Sequence, residues 1–272
     1  MTAPKIKKSQ KRKPSTPKPA LTLKARPILP LKKMTSAQLA VHLENEIEKW
    51  FADVVIENNK KAIQKLSKAS SFEINRYLAP YVSQATTGSI TAEGIARGLI
   101  QGRAMVTSLN TSFGDRMQIF ITNEIKEVVG SAIAGIDIEF EDCIDGQKKY
   151  AQVKAGVATI NKDDVEPIVR KFKTIRAKAK RDGVKIAEDQ TVICVLYGNE
   201  SALNAHYKKL MDEGVEVHVG DDFWERLTGE KDMGKRLFKA CLKAAENANV
   251  KPLLDKAAAE LALDPEIIAL VP

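Results

Sequence analysis

Within residues 135–161, GIDIEFEDCIDGQKKYAQVKAGVATIN, two carboxylates, an amide and an ammonium recur at strand spacing. Asp137 and Glu139 alternate with Ile136, Ile138 and Phe140, the period of a half-buried strand with its apolar side inward and its acidic side outward. Further on, Gln152 and Lys154 alternate with Ala151, Val153 and Ala155. A carboxylate can hold a divalent cation that acts as a Lewis acid on a phosphoryl oxygen. A neighbouring ammonium can position or deprotonate a water and neutralise developing charge. This combination points to metal-assisted phosphodiester hydrolysis, with an ordinary solvated ion pair as the competing reading.

The two runs must face each other for that chemistry. Asp145-Gly146 between them is a strong two-residue hairpin signal, because both central positions of a type I′ turn need a positive φ. Counting outward from a two-residue turn sets Glu139 opposite Gln152 and Asp137 opposite Lys154, with Cβ atoms about 4.5–5.5 Å apart. A one-residue change in loop length would send one strand's set to the other face.

Asp137 followed by Gln152-Val153-Lys154 resembles the PD-(D/E)XK nuclease motif. The surroundings resemble more specifically a type II restriction endonuclease family typified by an enzyme that cuts a GG-N-CC-centred palindrome. The residues that carry this are Ile136-Asp137, Lys154-Ala155-Gly156, Thr159-Ile160-Asn161, Tyr197-Gly198-Asn199, and Val217-His218-Val219 followed by Phe223-Trp224, spanning roughly residues 110–228. The resemblance implies Mg²⁺-dependent, sequence-specific cleavage of double-stranded DNA. Asp137 would be the main metal ligand, Lys154 would position the water, and Gln152 and Glu139 would complete the site. A palindromic target implies a two-fold homodimer. Two features depart from the family pattern: no proline precedes Asp137, and Gln152 stands where the motif has an acid. Either Glu139 supplies the second charge or the metal rests mainly on Asp137. Two other classes remain, a structure-specific repair or recombination nuclease and a catalytically inactive nuclease fold that binds DNA.

The fold class this implies is α/β. A restriction-endonuclease-like core would carry a mixed sheet, an antiparallel catalytic hairpin plus parallel strands, flanked by helices and joined to an N-terminal helical region. The expected organisation is a disordered basic tail over 1–33, a helical region over 34–110, a catalytic core over 111–228 and C-terminal helices over 229–272. Of 43 basic residues, eleven lie in 1–33 with no acid and six of the eleven prolines. The remainder carries 32 basic against 35 acidic residues, a net of −3. Such a tail cannot bury a core. It serves either as an arm on DNA phosphates or as a solubilising extension.

Helical periodicity predicts a long helix over 35–69, a short one over 72–83 interrupted at Pro80, a third capped by Thr91, and another opened by Ser112-Phe113-Gly114. The helical region could pack on the core, form a dimer interface or face DNA. Glu124-Ile125-Lys126 also spells E-x-K, but residues two apart on a helix point about 200° from each other. His42 and Glu124 read as surface groups, and His206 and His218 as isolated ones.

After the hairpin, Asn161 or Asp163 caps a helix to about Asp182, rich in Arg170, Lys171, Lys173 and Arg176. Its first turn, with Asn161 and Lys162, is a candidate phosphate site. Arg170 and Lys173 are further candidate DNA contacts. Strands over 191–197 and 215–219 flank a helix over 200–213. Asp221 caps another helix, and two more follow Gly229. Three scattered cysteines and no apolar run near 20 residues fit a reducing, cytoplasmic setting with no membrane span.

Overall fold

In the computed structural model, residues 34–272 are described, apart from the side chains of Ser108, Thr111 and Ser112. The basic tail over 1–33 lies outside the described residues.

The chain begins with α1 (Ser36–Trp50), which continues through a π-helical turn (Phe51–Ile56) into α2 (Glu57–Ile63). A capping box starts it: Thr35 accepts from Gln38 N, and the Gln38 side chain accepts from Thr35 N. α3 (Ala79–Thr87) has Pro80 in its first turn and ends on Gly88 at φ 76°. Pro80 therefore starts this helix and does not interrupt it; its missing N–H falls where no intrahelical bond is needed. Thr91 caps α4 (Ala92–Gln101), which passes through a second π-helical turn (Gly102–Ser108) into α5 (Leu109–Glu124). No new helix opens at Ser112. The wider π turns absorb the extra residues and keep each rod continuous.

The sheet follows, in order β1 (Val129–Gly130), β2 (Ile138–Glu141), β3 (Lys148–Lys154), β4 (Thr191–Val195) and β5 (Glu216–Val219). The first three strands are antiparallel neighbours, and β3–β4–β5 run parallel. Between β3 and β4 lies α6 (Lys162–Arg181), and between β4 and β5 lies α7 (Ala205–Asp212). The chain closes with α8 (Asp221–Thr228), α9 (Met233–Glu246), α10 (Lys251–Ala262) and α11 (Pro265–Ile268). This is an α/β fold with a mixed sheet, the architecture the resemblance implies.

Among the described residues, buried side chains form three cores. Ile138, Phe140, Ala151 and Cys194 meet Leu43 and Ile47 of α1, Phe120 and Ile121 of α5, and Phe223 and Trp224 of α8. On the sheet's other face, Ile193 and Val195 meet Ile168 and Phe172 of α6 and Tyr207 and Leu210 of α7. The third core joins Ile63, Ile95 and Ile100 to Ala257, Ala258 and Leu261 of α10, so the first and last parts of the described chain share one helical core.

Both sheet faces are thus covered, and the acidic face is not simply turned to solvent: Asp137 and Glu139 are partly buried. Ile136 also departs from the simple alternation. It precedes β2 in a turn, its N–H bonded to Ile133 O after Gly135 at φ 92°, and it joins the α6 core while Ile138 and Phe140 face the α1–α5 core.

The hairpin differs in register from a two-residue turn. Ile138 pairs with Ala151 and Glu139 with Tyr150; the Asp142 N–H reaches Gln147 O at 2.9 Å, leaving a four-residue loop, 143–146. Glu139 is therefore not opposite Gln152, nor Asp137 opposite Lys154. Carrying the register one step past Ile138 sets Asp137 across from Gln152. The cause is tertiary. Asp142 accepts from Ile144 N at 2.8 Å and from Arg226 Nη1 at 2.7 Å, and Cys143 N donates to Arg226 O. α8 thus holds the loop open where local turn chemistry favours closing it at Asp145-Gly146. Because the slip is two residues, each side chain keeps its face.

Lys149 is 1% exposed, with Nζ 2.7 Å from Asp145 Oδ2 and donating to Asp189 O at 2.9 Å. Such a buried ammonium tolerates burial only when paired and hydrogen-bonded, and here it fixes the far end of the hairpin.

Candidate active site

Asp137 lies just before β2, where the antiparallel ladder becomes irregular. Its N–H donates to Ala151 O at 2.8 Å, and its carbonyl accepts from Ser131 N and from Gln118 Nε2. Past this point the Val153 N–H has no strand carbonyl to meet. It donates instead to Asp137 Oδ2 at 2.8 Å. The carboxylate takes the place of the missing backbone acceptor and is thereby held against the Gln152–Lys154 stretch.

Gln152 and Lys154 sit on β3 beside Ile193 and Val195 of β4. The Gln152 Oε1 is buried and has no hydrogen-bond partner among the described residues. An orphaned buried acceptor costs on the order of 1–3 kcal/mol, so it calls for a donor or a cation. Among the described residues Lys154 has no hydrogen bond or ion pair from its ammonium, while its backbone carbonyl accepts from Leu196 N. Asp137 is thus bonded to the backbone of Val153, the residue between Gln152 and Lys154 on β3.

Glu139 is occupied elsewhere. Its Oε2 is 2.7 Å from Lys148 Nζ, and its Oε1 accepts from Ser131 Oγ at 2.6 Å. Burial works against its ionisation, but the bonds from Lys148 and Ser131 and the Lys148 charge outweigh burial and hold its carboxyl below the usual carboxylate range.

The oxygen donors suit a hard divalent cation: one anionic carboxylate and one buried neutral amide oxygen. Among the described residues there is no cluster of three or more His, Cys, Asp or Glu side chains spaced to hold a metal. Any ion here would take its charge compensation from Asp137 and complete its shell with Gln152, backbone carbonyl or water oxygens.

The loop following Lys154 is cinched from two sides. Tyr207, fully buried, donates to Gly156 O at 3.1 Å and lies 2.9 Å from Thr159 Oγ1, which itself donates to Gly156 O. Burial, partly offset by Thr159, pushes the Tyr207 hydroxyl up to about 12, so it stays a donor at any working pH. Tyr197 packs against Gly156, where a Cβ would fall 2.6 Å from its Cζ and hydroxyl oxygen. The sequence marks this contact only through Gly156 and Tyr197 themselves, 41 positions apart; nothing in their spacing shows that they touch.

At α6, Asn161 caps the helix. Its side chain accepts from Asp163 N at 2.8 Å, and Asp164 reaches back to Asn161 N at 2.8 Å. The first turn thus has its Asp163 N–H capped by Asn161 and carries two acids, Asp163 and Asp164. Lys162 is exposed beside it. Arg170 lies on the side of α6 away from its buried stripe and 3.8 Å from Glu166. Lys173 is exposed on the shoulder of Arg176, which donates to Thr191 Oγ1 at 2.7 Å near the start of β4. The structure does not gather Arg170 and Lys173 with Asp137.

Of the groups read as isolated, His42 lies 3.2 Å from Glu124, and His218 is buried with Nδ1 3.0 Å from Asp222. These pairs join α1 to α5 and β5 to α8.

No curated protein sequence matches this chain. The family model for the type II restriction endonuclease EcoO109I matches residues 45–249, three quarters of the chain, across the helical region, the hairpin, Lys154 and the parallel strands. With this sheet order and this hairpin, the chain belongs to the family of type II restriction endonuclease EcoO109I, a family of DNA-cleaving hydrolases.

Proposed function

We propose that this protein is a Mg²⁺-dependent, site-specific endonuclease that cuts double-stranded DNA at a GG-N-CC-centred palindrome as a homodimer, in the cytoplasm. The observation that carries the reading is the Asp137 carboxylate held by the N–H of Val153, the residue between Gln152 and Lys154, whose amide oxygen and ammonium have no partner among the described residues. Asp137 and Gln152 would hold the ion, and Glu139 is left to Lys148 and Ser131. When bound, Mg²⁺ supplies Lewis-acid polarisation of the scissile phosphate.

The chain's own groups do the rest. Lys154 Nζ orients the attacking water and offsets the negative charge that grows on the phosphoryl oxygens as the water oxygen bonds to phosphorus and the bond to the leaving sugar oxygen breaks. The Tyr207–Thr159–Gly156 bonds keep the β3 end from shifting, which matters because misplacement of about 1 Å can cost on the order of 10²-fold. Two copies related by a two-fold axis would present two such sites to the two strands of a palindrome. Among the described residues no helix is long and apolar enough to cross a membrane.

The test is digestion of supercoiled plasmid by the wild type and by Lys154→Met, with Mg²⁺ and with chelator. Discrete fragments from the wild type in Mg²⁺ alone, and none from Lys154→Met, support the reading. Binding without cutting would leave a nuclease fold that only binds DNA, and cutting confined to branched substrates would leave a structure-specific nuclease.

A further inference from the structure

Helix α6 carries the densest positive charge of the described chain, but its cations differ in what they face. At 100° per residue, Val165, Ile168, Phe172 and Ile175 form the buried stripe. Arg170 points away from it, and Arg176 on one shoulder is spent on Thr191 and Glu188. Lys171 lies on the other shoulder and runs across Gly135. A Cβ built at Gly135 would fall 2.3 Å from Lys171 Cδ and 2.5 Å from its Nζ. Gly135 also sits at φ 92°. The conformation disfavours a side chain there, and the flexible end of Lys171 lies close over the open position.

Gly135 is two residues before Asp137, so their Cα atoms are at most about 7.6 Å apart. Lys171 therefore ends beside the turn that delivers Asp137, while Lys154 flanks Asp137 on β3. Among the described residues neither ammonium has a hydrogen-bond or ion-pair partner. The rest of the chain after residue 33 is net acidic. Lys171 is exposed and Lys154 half-buried, so both ammonium groups are open to an anionic ligand near Asp137. Asp137 alone would attract them, yet neither is ion-paired with it.

We infer that Lys171 is a phosphate-binding residue: its ammonium grips a DNA backbone phosphate adjacent to the one attacked beside Asp137. This rests on the endonuclease reading above. Lys171 contacts the substrate away from the reacting atoms, so its loss should weaken binding more than chemistry.

The measurement is duplex binding by fluorescence anisotropy across a salt series, with Ca²⁺ replacing Mg²⁺, followed by single-turnover cleavage in Mg²⁺ at saturating DNA. Lys171→Met keeps the aliphatic stem over Gly135 and removes the charge. It should raise Kd about five- to tenfold, lower the slope of log K against log[salt] by about 0.9, and leave the saturated cleavage rate within about threefold. Lys171→Arg should restore both affinity and slope. An unchanged slope in Lys171→Met overturns the inference, as does a loss of affinity that Lys171→Arg fails to restore. Should Lys171→Met not fold, Lys171→Gln is read in the same way. A wild type that cuts no DNA defeats the function reading instead, so the two failures are distinct.

Discussion

Replacing Asp137 should separate a structural role from a chemical one. Among the described residues its Oδ2 is the acceptor for the Val153 N–H, at 2.8 Å, and the bond is charge-assisted. Such bonds contribute about 1.5–3 kcal/mol, and Val153 is only partly buried, so the lower end applies. Asp137→Ala should therefore cost about 1–2 kcal/mol. For a body of this size each kcal/mol moves Tm by about 2–4 °C, giving a drop of about 2–8 °C. Asp137→Asn keeps a carbonyl oxygen for Val153 and should lose about half as much. Both should lose Mg²⁺-dependent cleavage by at least about 10³-fold, since neither presents an anion to the metal. The assays are thermal melts without metal and plasmid cleavage with it. If Asp137→Asn melts as low as Asp137→Ala, the carboxylate is not acting as the strand's missing acceptor. If either cuts at near the wild-type rate, the site is misplaced.

Three further outcomes follow. Gln152→Glu restores the charge the family motif carries at this position and should lower the half-saturating Mg²⁺ concentration, whereas Glu139→Gln should leave it unchanged; a rise on Glu139→Gln would return Glu139 to the metal. Glu139, Asp145 and Asp222 are each held below the usual carboxylate range, burial opposing and the partners Lys148, Lys149 and His218 prevailing. Groups with depressed folded pKa values stabilise above their unfolded values, about 4.3 for Glu and 3.9 for Asp, and that stability is lost as pH falls through the folded values. Tm should therefore be level from about pH 5 to 7 and fall below about pH 4, less steeply in Asp222→Asn; an equally steep fall in that variant counts against the pairing. Deleting residues 1–33 should flatten the salt dependence of DNA binding without changing site choice, and an unaltered slope would make the tail a bystander.

The parts of the fold that local physics governs could be read from residue pattern alone. The α6 cap at Asn161, the apolar β4 run and the Gly214 and Gly229 stops depend on neighbours in sequence. So does the parity that puts Asp137, Gln152 and Lys154 on one face. What the pattern could not give was set at a distance. The two-residue register slip comes from Arg226, 84 positions from Asp142. The continuity of α4 into α5 depends on a π turn whose Ala104 carbonyl is satisfied by Asn59. At the site, residue types indicated which groups could do the chemistry. They did not show that Lys148 and Ser131 take Glu139, that Val153 holds Asp137, or that Lys171 lies across Gly135, because each of those is a contact between segments that only the packed sheet and α6 bring together.

The most direct test is to sequence the ends that the purified protein makes in a randomised DNA library with Mg²⁺. The account predicts ends at one fixed position relative to a GG-N-CC-centred palindrome, cut symmetrically on both strands, and none with chelator present. Ends scattered without regard to sequence, or cleavage that persists without a divalent ion, would contradict it.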